Sequence, residues 1–215
     1  MKPDITLILP TYNEVGTIKS LLEELLLLPF HEVLVADDNS PDGTGQIVLF
    51  MMKGYSKLSI NFKERKGLGS AVRTAAASVK TPYSMVMDSD GQHSPKDAER
   101  LLGNFTGCEE LVIGSRWLQG GNSPGLSWRR KLISRILTLY CNLRCQTKSS
   151  DPLSGMFIAK THLVRNTTET GFKILYDILR DHKDLFIYEV PITLGYRKTG
   201  TSKASLKELW KVLKH

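Results

Sequence analysis

The sequence predicts an α/β fold with a mainly parallel sheet flanked by helices. Two observations support this prediction. Short apolar runs typical of strands alternate with segments of helical periodicity, and polar clusters follow several successive strand-like runs. The chain has 215 residues, enough for one domain of ordinary size with a substantial core.

The first half of the chain gives the more regular pattern. Strands are predicted over residues 5–9, 33–36, 58–62, 83–87 and 111–113, with the first expected to stop at Pro10. Helices are predicted over residues 45–52, 67–79 and 95–105. Asn13 can cap an earlier helix, whose apolar positions are Val15, Ile18, Leu21, Leu22 and Leu25.

The second half is less regular. A basic amphipathic helix is predicted over residues 128–145 and a second helix over 171–181. Strands are predicted over 156–159 and over 186–196, where Pro191 interrupts the run. Residues 120–127 read as a loop or hinge.

Composition limits the classes of ligand and compartment. The formal net charge of +7 favours anionic ligands such as nucleotide phosphates, nucleic acid or acidic lipids. Three cysteines without C-x-x-C spacing support neither a disulfide framework nor a zinc site, so a reducing cytoplasmic compartment is expected. No secretory signal is apparent, and the apolar run 25–30 is too short to span a bilayer.

The most informative motif is Asp88-Ser89-Asp90-Gly91-Gln92, directly after a predicted strand. Its carboxylate and amide oxygens are the ligands that Mg²⁺ and Mn²⁺ prefer, and such ions usually keep positions open for substrate phosphates. A solvated acidic turn is the alternative interpretation.

Other polar clusters are expected at the same edge of the sheet, where open α/β sheets bind ligands. Tyr12 can stack on a base, and Asp38 can accept hydrogen bonds from a base or ribose. Each cluster also has a structural alternative: a helix cap at Asn13, an Asx-type turn over 37–42, and turn glycines at Gly67 and Gly69.

An ordered set of motifs runs along nearly the whole chain: Leu9-Pro10-Thr11-Tyr12-Asn13-Glu14, Asp37-Asp38-Asn39-Ser40-Pro41-Asp42-Gly43-Thr44, Lys66-Gly67-Leu68-Gly69-x-Ala71, Asp88-x-Asp90-x-Gln92-His93, Gly114-Ser115-Arg116, Arg130-Lys131-x-x-Ser134, Asp151-x-x-Ser154-Gly155 and Arg197-x-x-Gly200-x-Ser202-Lys203. Taken in order, these motifs resemble family 2 inverting glycosyltransferases of the GT-A fold, and within them the dolichol-phosphate or polyprenyl-phosphate mannose synthases.

The resemblance implies a single GT-A domain, a mixed and mainly parallel Rossmann-like sheet, over residues 1–215. Residues 1–117 would bind the nucleotide sugar, and 118–215 would form an acceptor-side half with amphipathic interface helices. It implies Mg²⁺ or Mn²⁺ as the cofactor, on Asp88, Asp90 and Gln92. The residues that would bind the donor are Pro10, Tyr12, Glu14, Asp38, Lys66, Asp88, Asp90 and Arg197. Those that would bind the acceptor phosphate are Arg116, Arg130, Ser134 and Lys203. The catalytic residues would be Asp90, Arg116 and Arg130.

The expected reaction is transfer of mannose from GDP-mannose to a polyprenyl or dolichyl phosphate. The acceptor phosphate already offers an anionic oxygen, so direct displacement with inversion needs no general base. His93 is the tempting base, but a structural role beside the metal is favoured. The same chemistry with UDP-glucose or another nucleotide sugar is one alternative, and a catalytically silent nucleotide-binding or regulatory subunit is another.

The helix over 128–145 mixes arginines with leucines and isoleucines in a way suited to an anionic membrane surface, although an ordinary core-covering helix is the alternative. Within the resemblance it would guide the lipid phosphate at the cytoplasmic face of a membrane, alone or with a separate membrane-anchoring partner. Cys141 and Cys145 are expected to be packing residues. No motif supports nucleic-acid binding.

The chain departs from the family pattern at two places. Met156-Phe157 stands where Phe-Arg is usual after Ser154-Gly155, so an acceptor contact is expected to be lost or altered. Many relatives continue into transmembrane helices, whereas this sequence ends at His215, so we expect either a form without an anchor or a shortened one.

Overall fold

The structure is a computed structural model that describes residues 2–62, 67–167 and 174–197. Within these ranges the strands are β1 (Ile5–Thr11), β2 (Glu32–Asp37), β3 (Leu58–Phe62), β4 (Tyr83–Met87), β5 (Leu111–Ser115), β6 (Met156–Lys160) and β7 (Ile187–Pro191). The helices are α1 (Ile18–Leu25), α2 (Thr44–Met52), α3 (Leu68–Ser78), α4 (Pro95–Asn104), α5 (Trp128–Arg144), α6 (Thr161–Arg165) and α7 (Ile174–Asp181).

The seven strands form one mixed, mainly parallel sheet in the order β3-β2-β1-β4-β6-β5-β7. Parallel pairing joins β3, β2, β1 and β4, and also β5 and β7. Strand β6 runs antiparallel to both of its neighbours, β4 and β5. The predicted α/β class with a mainly parallel sheet is therefore confirmed.

Helices cover both faces of the sheet. Side chains alternate along each strand, so each face carries apolar residues that pack against helices. In β1, Leu7 and Leu9 join a core that includes apolar residues of α1, α2 and α4. Ile8 joins the opposite core, with apolar residues of α3, α6 and α7. The inner strands β1, β4, β6 and β5 are buried on both sides, as expected for this architecture, whereas the edge strands β3 and β7 are partly exposed.

Strand β1 runs through Pro10 to Thr11, so the predicted stop at Pro10 is wrong. Pairing with β4 has already ended at Ile8, and beyond it β1 pairs only with β2. The carbonyl of Pro10 accepts a hydrogen bond from Ser89 Oγ on the β4 side. In a strand, the N–H and the carbonyl of one residue point to the same side. A proline at this position therefore costs no strand hydrogen bond, because β4 no longer pairs with β1 there.

The first helix begins later than predicted, at Ile18 with Thr17 as its N-cap, and Asn13 is not its cap. Asn13 instead has a left-handed backbone, with φ of 59°. Val15 is 43% exposed and does not belong to the core. The reason is tertiary: residues of the 37–44 segment hold the backbone of 13–15 in a loop, as shown below for the site.

The remaining differences are small or fall in the second half. Strand β7 ends at Pro191, so the predicted strand over 186–196 is too long, and helix α6 is not predicted at all. The predicted helix over 171–181 corresponds to α7, although its first three residues lie outside the described ranges. None of the described helices is both long enough and apolar enough to cross a bilayer.

Candidate active site

One small cavity at the carboxyl ends of β1 and β4 collects most of the predicted donor-binding residues. Its lining consists of Pro10, Tyr12, Glu14, Leu68, Ser89, Asp88, Asp90 and Arg197. Six of these are predicted for the donor, and they come from three distant parts of the sequence. The other two lining residues, Leu68 and Ser89, were not predicted from the sequence. Both lie within the Lys66–Gly69 and Asp88–Gln92 motifs.

The segment that carries Tyr12 and Glu14 is held by hydrogen bonds from the loop before α2. Ser40 Oγ accepts from the backbone N–H of Asn13 at 3.0 Å, and Thr44 Oγ1 accepts from that of Glu14 at 3.0 Å. Asp42 Oδ2 accepts from the N–H of Val15 at 3.1 Å. The Asp-rich loop is therefore a turn that positions the neighbouring loop of the cavity.

Asp42 is the central acceptor of this turn. Its Oδ1 accepts from both the backbone N–H and the hydroxyl of Thr44, at 3.0 and 2.6 Å. Burial alone would raise the pKa of Asp42, but the hydrogen bonds from Thr44 and Val15 outweigh it and lower that pKa. The ionised carboxylate is thus the form that holds the loop.

Asp38 is buried and forms hydrogen bonds to two segments that lead into the cavity lining. Its backbone N–H donates to the carbonyl of Thr11 at 3.0 Å, and its Oδ2 accepts from the N–H of Gly67 at 3.0 Å. Gly67 has φ of +96°, a conformation that glycine adopts readily. This contact fixes the start of α3 and so the place of Leu68.

Asp88 is packed against Gly155 at the start of β6. Its N–H donates to the carbonyl of Gly155 at 3.3 Å. A Cβ on residue 155 would lie 2.1 Å from Asp88 Oδ2, so any larger side chain there would displace the carboxylate. His93 is 3% exposed, and its Nε2 lies 3.8 Å from the same Oδ2. His93 thus lies beside the Asp88 carboxylate, and its structural role next to a metal stays a prediction.

Asp90 forms an ion pair with Arg197, with 2.5 Å between Oδ2 and Nη2. Its Oδ1 accepts from the backbone N–H of Gln92 at 3.0 Å. The side-chain amide nitrogen of Gln92 donates to the carbonyl of Gly195 at 3.0 Å, which leaves its side-chain oxygen for any cation. Residues 195–197 are therefore tied to the Asp90–Gln92 motif.

The residues fit a hard divalent cation as a partial ligand set. Across the described ranges, no group of three or more His, Cys, Asp or Glu side chains is arranged to hold a metal ion. However, Asp88 and Asp90 line the same cavity. Mg²⁺ and similar ions are commonly held by one or two carboxylates together with substrate phosphates. The donor set thus suits a metal that binds with a phosphorylated ligand.

A second small cavity adjoins the first and shares Pro10, Leu68 and Asp88 with it. It adds Ser154, Gly155 and Phe157, none of which was predicted as a site residue. Ser154 Oγ donates to the carbonyl of Gly114 at 2.6 Å. Phe157, one of the two residues that depart from the motif pattern of the resemblance, is buried and contributes an apolar side chain to this cavity.

The acceptor-side residues are only partly brought together. Arg116 follows β5 and is held by Asp151, while Arg130 and Ser134 lie one turn apart on α5. The guanidinium of Arg135, also on α5, lies 4.9 Å from the centroid of the Trp117 ring and so links α5 to the Arg116 segment. Lys66 and Lys203, predicted for donor and acceptor, lie outside the described residues.

Solved structures of similar shape define the class of fold. The glucosyl-3-phosphoglycerate synthase of Mycobacterium tuberculosis, crystallised with Mn²⁺, UDP-glucose and phosphoglyceric acid, aligns with a TM-score of 0.71 at 24% identity, over 99% of this chain and 76% of that one. The mannosyl-3-phosphoglycerate synthase of Rubrobacter xylanophilus aligns with a TM-score of 0.67 at 20% identity, over 99% and 72%. The fold is that of the GT-A glycosyltransferases.

The chain belongs to glycosyl transferase family 2, whose model matches residues 6–167. Membership of this family makes it a glycosyltransferase by class. The dolichol-phosphate mannosyltransferase of Pyrococcus furiosus is 33% identical over 218 aligned positions, and that of Saccharomyces cerevisiae is 31% identical over 226. The matches cover 98% and 96% of this chain, but 62% of the first relative and 83% of the second.

Proposed function

We propose that the protein transfers mannose from GDP-mannose to a polyprenyl or dolichyl phosphate, with inversion at the anomeric carbon. The observation that carries this proposal is the convergence of Tyr12, both motif carboxylates and Arg197 on one cavity. Relatives named as dolichol-phosphate mannosyltransferases support the choice of sugar and acceptor. Transfer from UDP-glucose or another nucleotide sugar is the alternative for the same site.

Asp88 and Asp90 would hold Mg²⁺ or Mn²⁺, together with the side-chain oxygen of Gln92. A divalent cation bound there neutralises charge on the departing diphosphate. Arg197 supplies a second positive group at the same wall of the cavity, and its planar fork suits phosphate oxygens. Tyr12, Pro10, Glu14 and Asp38 would surround the nucleoside, with Lys66 as a further donor contact.

The acceptor supplies its own nucleophile. A phosphate monoester is anionic near neutral pH, so the protein needs to orient an oxygen and does not need to remove a proton. We assign this orientation to Arg116, Arg130 and Ser134, with Lys203 as a further contact. His93 is buried against Asp88, a place that supports a structural role.

The two halves of the chain would divide these tasks. Residues 1–117 contain most of the cavity that we assign to the donor, and residues 118–215 contain α5, which we assign to the acceptor side. Of the seventeen residues of α5, Cys141 is the one that is buried. A helix so little used by the core favours an interfacial role at the cytoplasmic leaflet, whose anionic lipids attract basic residues.

The direct test is a transfer assay. The protein is incubated with Mn²⁺, a polyprenyl phosphate and a panel of labelled nucleotide sugars, and label entering the lipid phase is measured. GDP-mannose is expected to give the highest transfer. Absence of transfer from every donor would defeat the proposed function.

The carboxylate motif is tested by Asp90→Asn, which keeps the shape of the side chain and removes its charge. Transfer is expected to fall about 10²- to 10³-fold, because charge on the leaving diphosphate would no longer be fully neutralised. Asp4→Asn, at an exposed carboxylate remote from the cavity, is the matched control. Unchanged transfer by Asp90→Asn would refute the metal assignment while leaving the glycosyltransferase activity intact.

A further inference from the structure

We propose that Asp151 is a positioning residue that orients Arg116 toward the acceptor phosphate. The inference rests on the proposed function, since it concerns how that acceptor is held. It assigns to Asp151 an effect on acceptor binding that is exerted entirely through the arginine.

The contact between the two side chains is bidentate and enclosed. Arg116 Nε donates to Asp151 Oδ2 at 2.7 Å, and Nη2 donates to Oδ1 at 2.7 Å. The backbone N–H of Arg116 also donates to Oδ2, at 3.1 Å. The side chain of Asp151 is fully buried and that of Arg116 is 11% exposed. Three donors on one carboxylate fix both the backbone and the plane of the guanidinium.

Asp151 is itself held by the sheet through the loop that contains it. Its N–H donates to Ser149 Oγ at 3.0 Å, and Ser149 Oγ donates to Glu189 Oε1 at 2.7 Å. The N–H of Ser150 donates to the same Oε1 at 2.8 Å. The hydroxyls of Ser150 and Ser115 are 2.6 Å apart. Because Glu189 lies on β7 and Ser115 ends β5, two paired strands anchor the carboxylate.

Part of the guanidinium remains for a ligand. Among the described residues, Nη1 of Arg116 has no protein acceptor, whereas Nε and Nη2 are both engaged by Asp151. The two N–H groups of Nη1, with the second N–H of Nη2, are therefore the donors that an acceptor phosphate can use. Their direction is set by Asp151, since a guanidinium is rigid and planar.

The surroundings of Arg116 carry a second positive charge that an anionic ligand could also contact. Arg116 and Arg135 both lie against the ring of Trp117, with 5.2 and 4.9 Å from guanidinium carbon to ring centroid. Asp151 balances the charge of Arg116, but within the described ranges Arg135 has no carboxylate partner. A phosphate bound between Nη1 of Arg116 and α5 would balance that second charge.

Asp151 is not suited to act as a base. Its carboxylate is fully buried and already accepts three hydrogen bonds from Arg116. A general base must reach the proton that it removes, and this carboxylate is enclosed behind the arginine. The burial of Asp151 and its contacts with Arg116 therefore fit a positioning role and not that of a general base.

The test is the variant Asp151→Asn, measured with both substrates. Asparagine keeps the shape but replaces a charged acceptor by an N–H₂ group facing Arg116. The kcat/KM for polyprenyl phosphate is expected to fall about 10- to 100-fold, mainly through KM, as for loss of a charge-assisted hydrogen bond. The KM for the nucleotide sugar is expected to stay within about twofold, because the donor cavity does not include Asp151.

A double-mutant cycle distinguishes positioning from a general structural effect. If Asp151 acts through Arg116, the double variant Asp151→Asn/Arg116→Gln loses no more than Arg116→Gln alone. Asp177→Asn is the matched control, a buried carboxylate paired with Arg180 on α7. It is expected to change neither KM.

Additive losses, or equal losses toward donor and acceptor, would overturn the positioning role. If Asp151→Asn does not fold, Ser149→Ala carries the test, because it removes the acceptor for the Asp151 N–H while leaving the ion pair in place. A smaller, acceptor-specific loss is then expected, and no such loss would refute the inference. If the wild-type protein transfers no sugar to polyprenyl phosphate, the proposed function itself fails, and the positioning role fails with it.

Discussion

Asp90 and Arg197 show how a single carboxylate can serve two partners at the residue scale. Arg197 lies 2.5 Å from Asp90 in the ion pair, at the side chain that the resemblance assigns to the metal. A divalent cation and a guanidinium would compete for the same oxygens. Binding of the metal at Asp90 would therefore release Arg197 toward the donor diphosphate.

The variant Arg197→Gln tests this competition. Removing the guanidinium is expected to tighten Mn²⁺ binding in the absence of nucleotide by about fivefold, as for loss of a competing ion pair worth about 1 kcal/mol. GDP binding in the presence of Mn²⁺ is expected to weaken, because a diphosphate contact is lost. Both affinities can be measured without turnover, by electron paramagnetic resonance of free Mn²⁺ and by calorimetry.

Arg180→Gln is the control for this experiment. The side chain of Arg180 is 19% exposed, close to the 21% of Arg197, and it pairs with Asp177 and Asp181 on α7. It is expected to leave both affinities unchanged. Mn²⁺ binding that is unchanged or weaker in Arg197→Gln would contradict competition at Asp90.

At the scale of elements, the loop before α2 organises the loop after β1. Asp42 bonds to Thr44 at the start of α2 and to the backbone of Val15. These contacts explain why α1 begins at Ile18 and not near Asn13. The local pattern of apolar residues could not reveal this, because the controlling hydrogen bonds come from a segment about thirty residues away.

The pH dependence of stability follows from the lowered pKa of Asp42. Its folded pKa lies below the ordinary value of 3.8, so its contribution is present above that value and is lost as pH falls through the folded pKa. Asp42→Asn is expected to lower the free energy of unfolding by about 1–2 kcal/mol at pH 7, through loss of hydrogen bonds to a charged acceptor. The difference from wild type should shrink in acid.

Urea unfolding of both proteins at pH 7 and near pH 3 measures this difference. Asp4→Asn, at a carboxylate whose side chain is 70% exposed, is the comparison and should have little effect at either pH. A difference between Asp42→Asn and wild type that is as large in acid as at neutral pH would show that the ionised carboxylate does not hold the loop.

At the scale of the whole molecule, the order of the described strands and of the helices other than α6 could be predicted, and several tertiary contacts could not. The alternation of strand and helix periods identified all seven described strands at least in part. The strand-end motifs supplied five residues of one cavity, Pro10, Tyr12, Glu14, Asp88 and Asp90, and the family resemblance added Arg197. Sequence periodicity did not reveal that β6 inserts antiparallel between β4 and β5. That placement puts Gly155 against Asp88, a contact between residues distant in sequence.

The acceptor side was harder to predict for the same reason. Arg116 was expected to bind phosphate, and only the fold shows that Asp151, 35 positions away, engages two of its guanidinium nitrogens. Helix α5 was predicted within one residue, since its periodicity is local. Whether it covered the core or faced outward depended on its neighbours.

The exposed face of α5 gives the last prediction, which concerns how the molecule meets a membrane. Its exposed apolar residues are Trp128, Leu132, Ile133, Ile136, Leu139 and Leu143. They lie among the arginines of the same helix, an arrangement suited to binding at the surface of an anionic bilayer. If α5 inserts there, its leucines should contribute to binding in proportion to the apolar area they bury.

The double variant Leu139→Ser/Leu143→Ser removes two such side chains, which are 65% and 76% exposed. Partition to anionic vesicles is expected to fall at least about tenfold, because burying one leucine is worth about 1.5–3 kcal/mol. Leu27→Ser is the control: Leu27 is 84% exposed but follows α1, which packs on the other face of the sheet. Equal loss in the control and the double variant, or no loss in either, would contradict membrane binding through α5. Loss confined to the double variant would place the helix at the lipid surface.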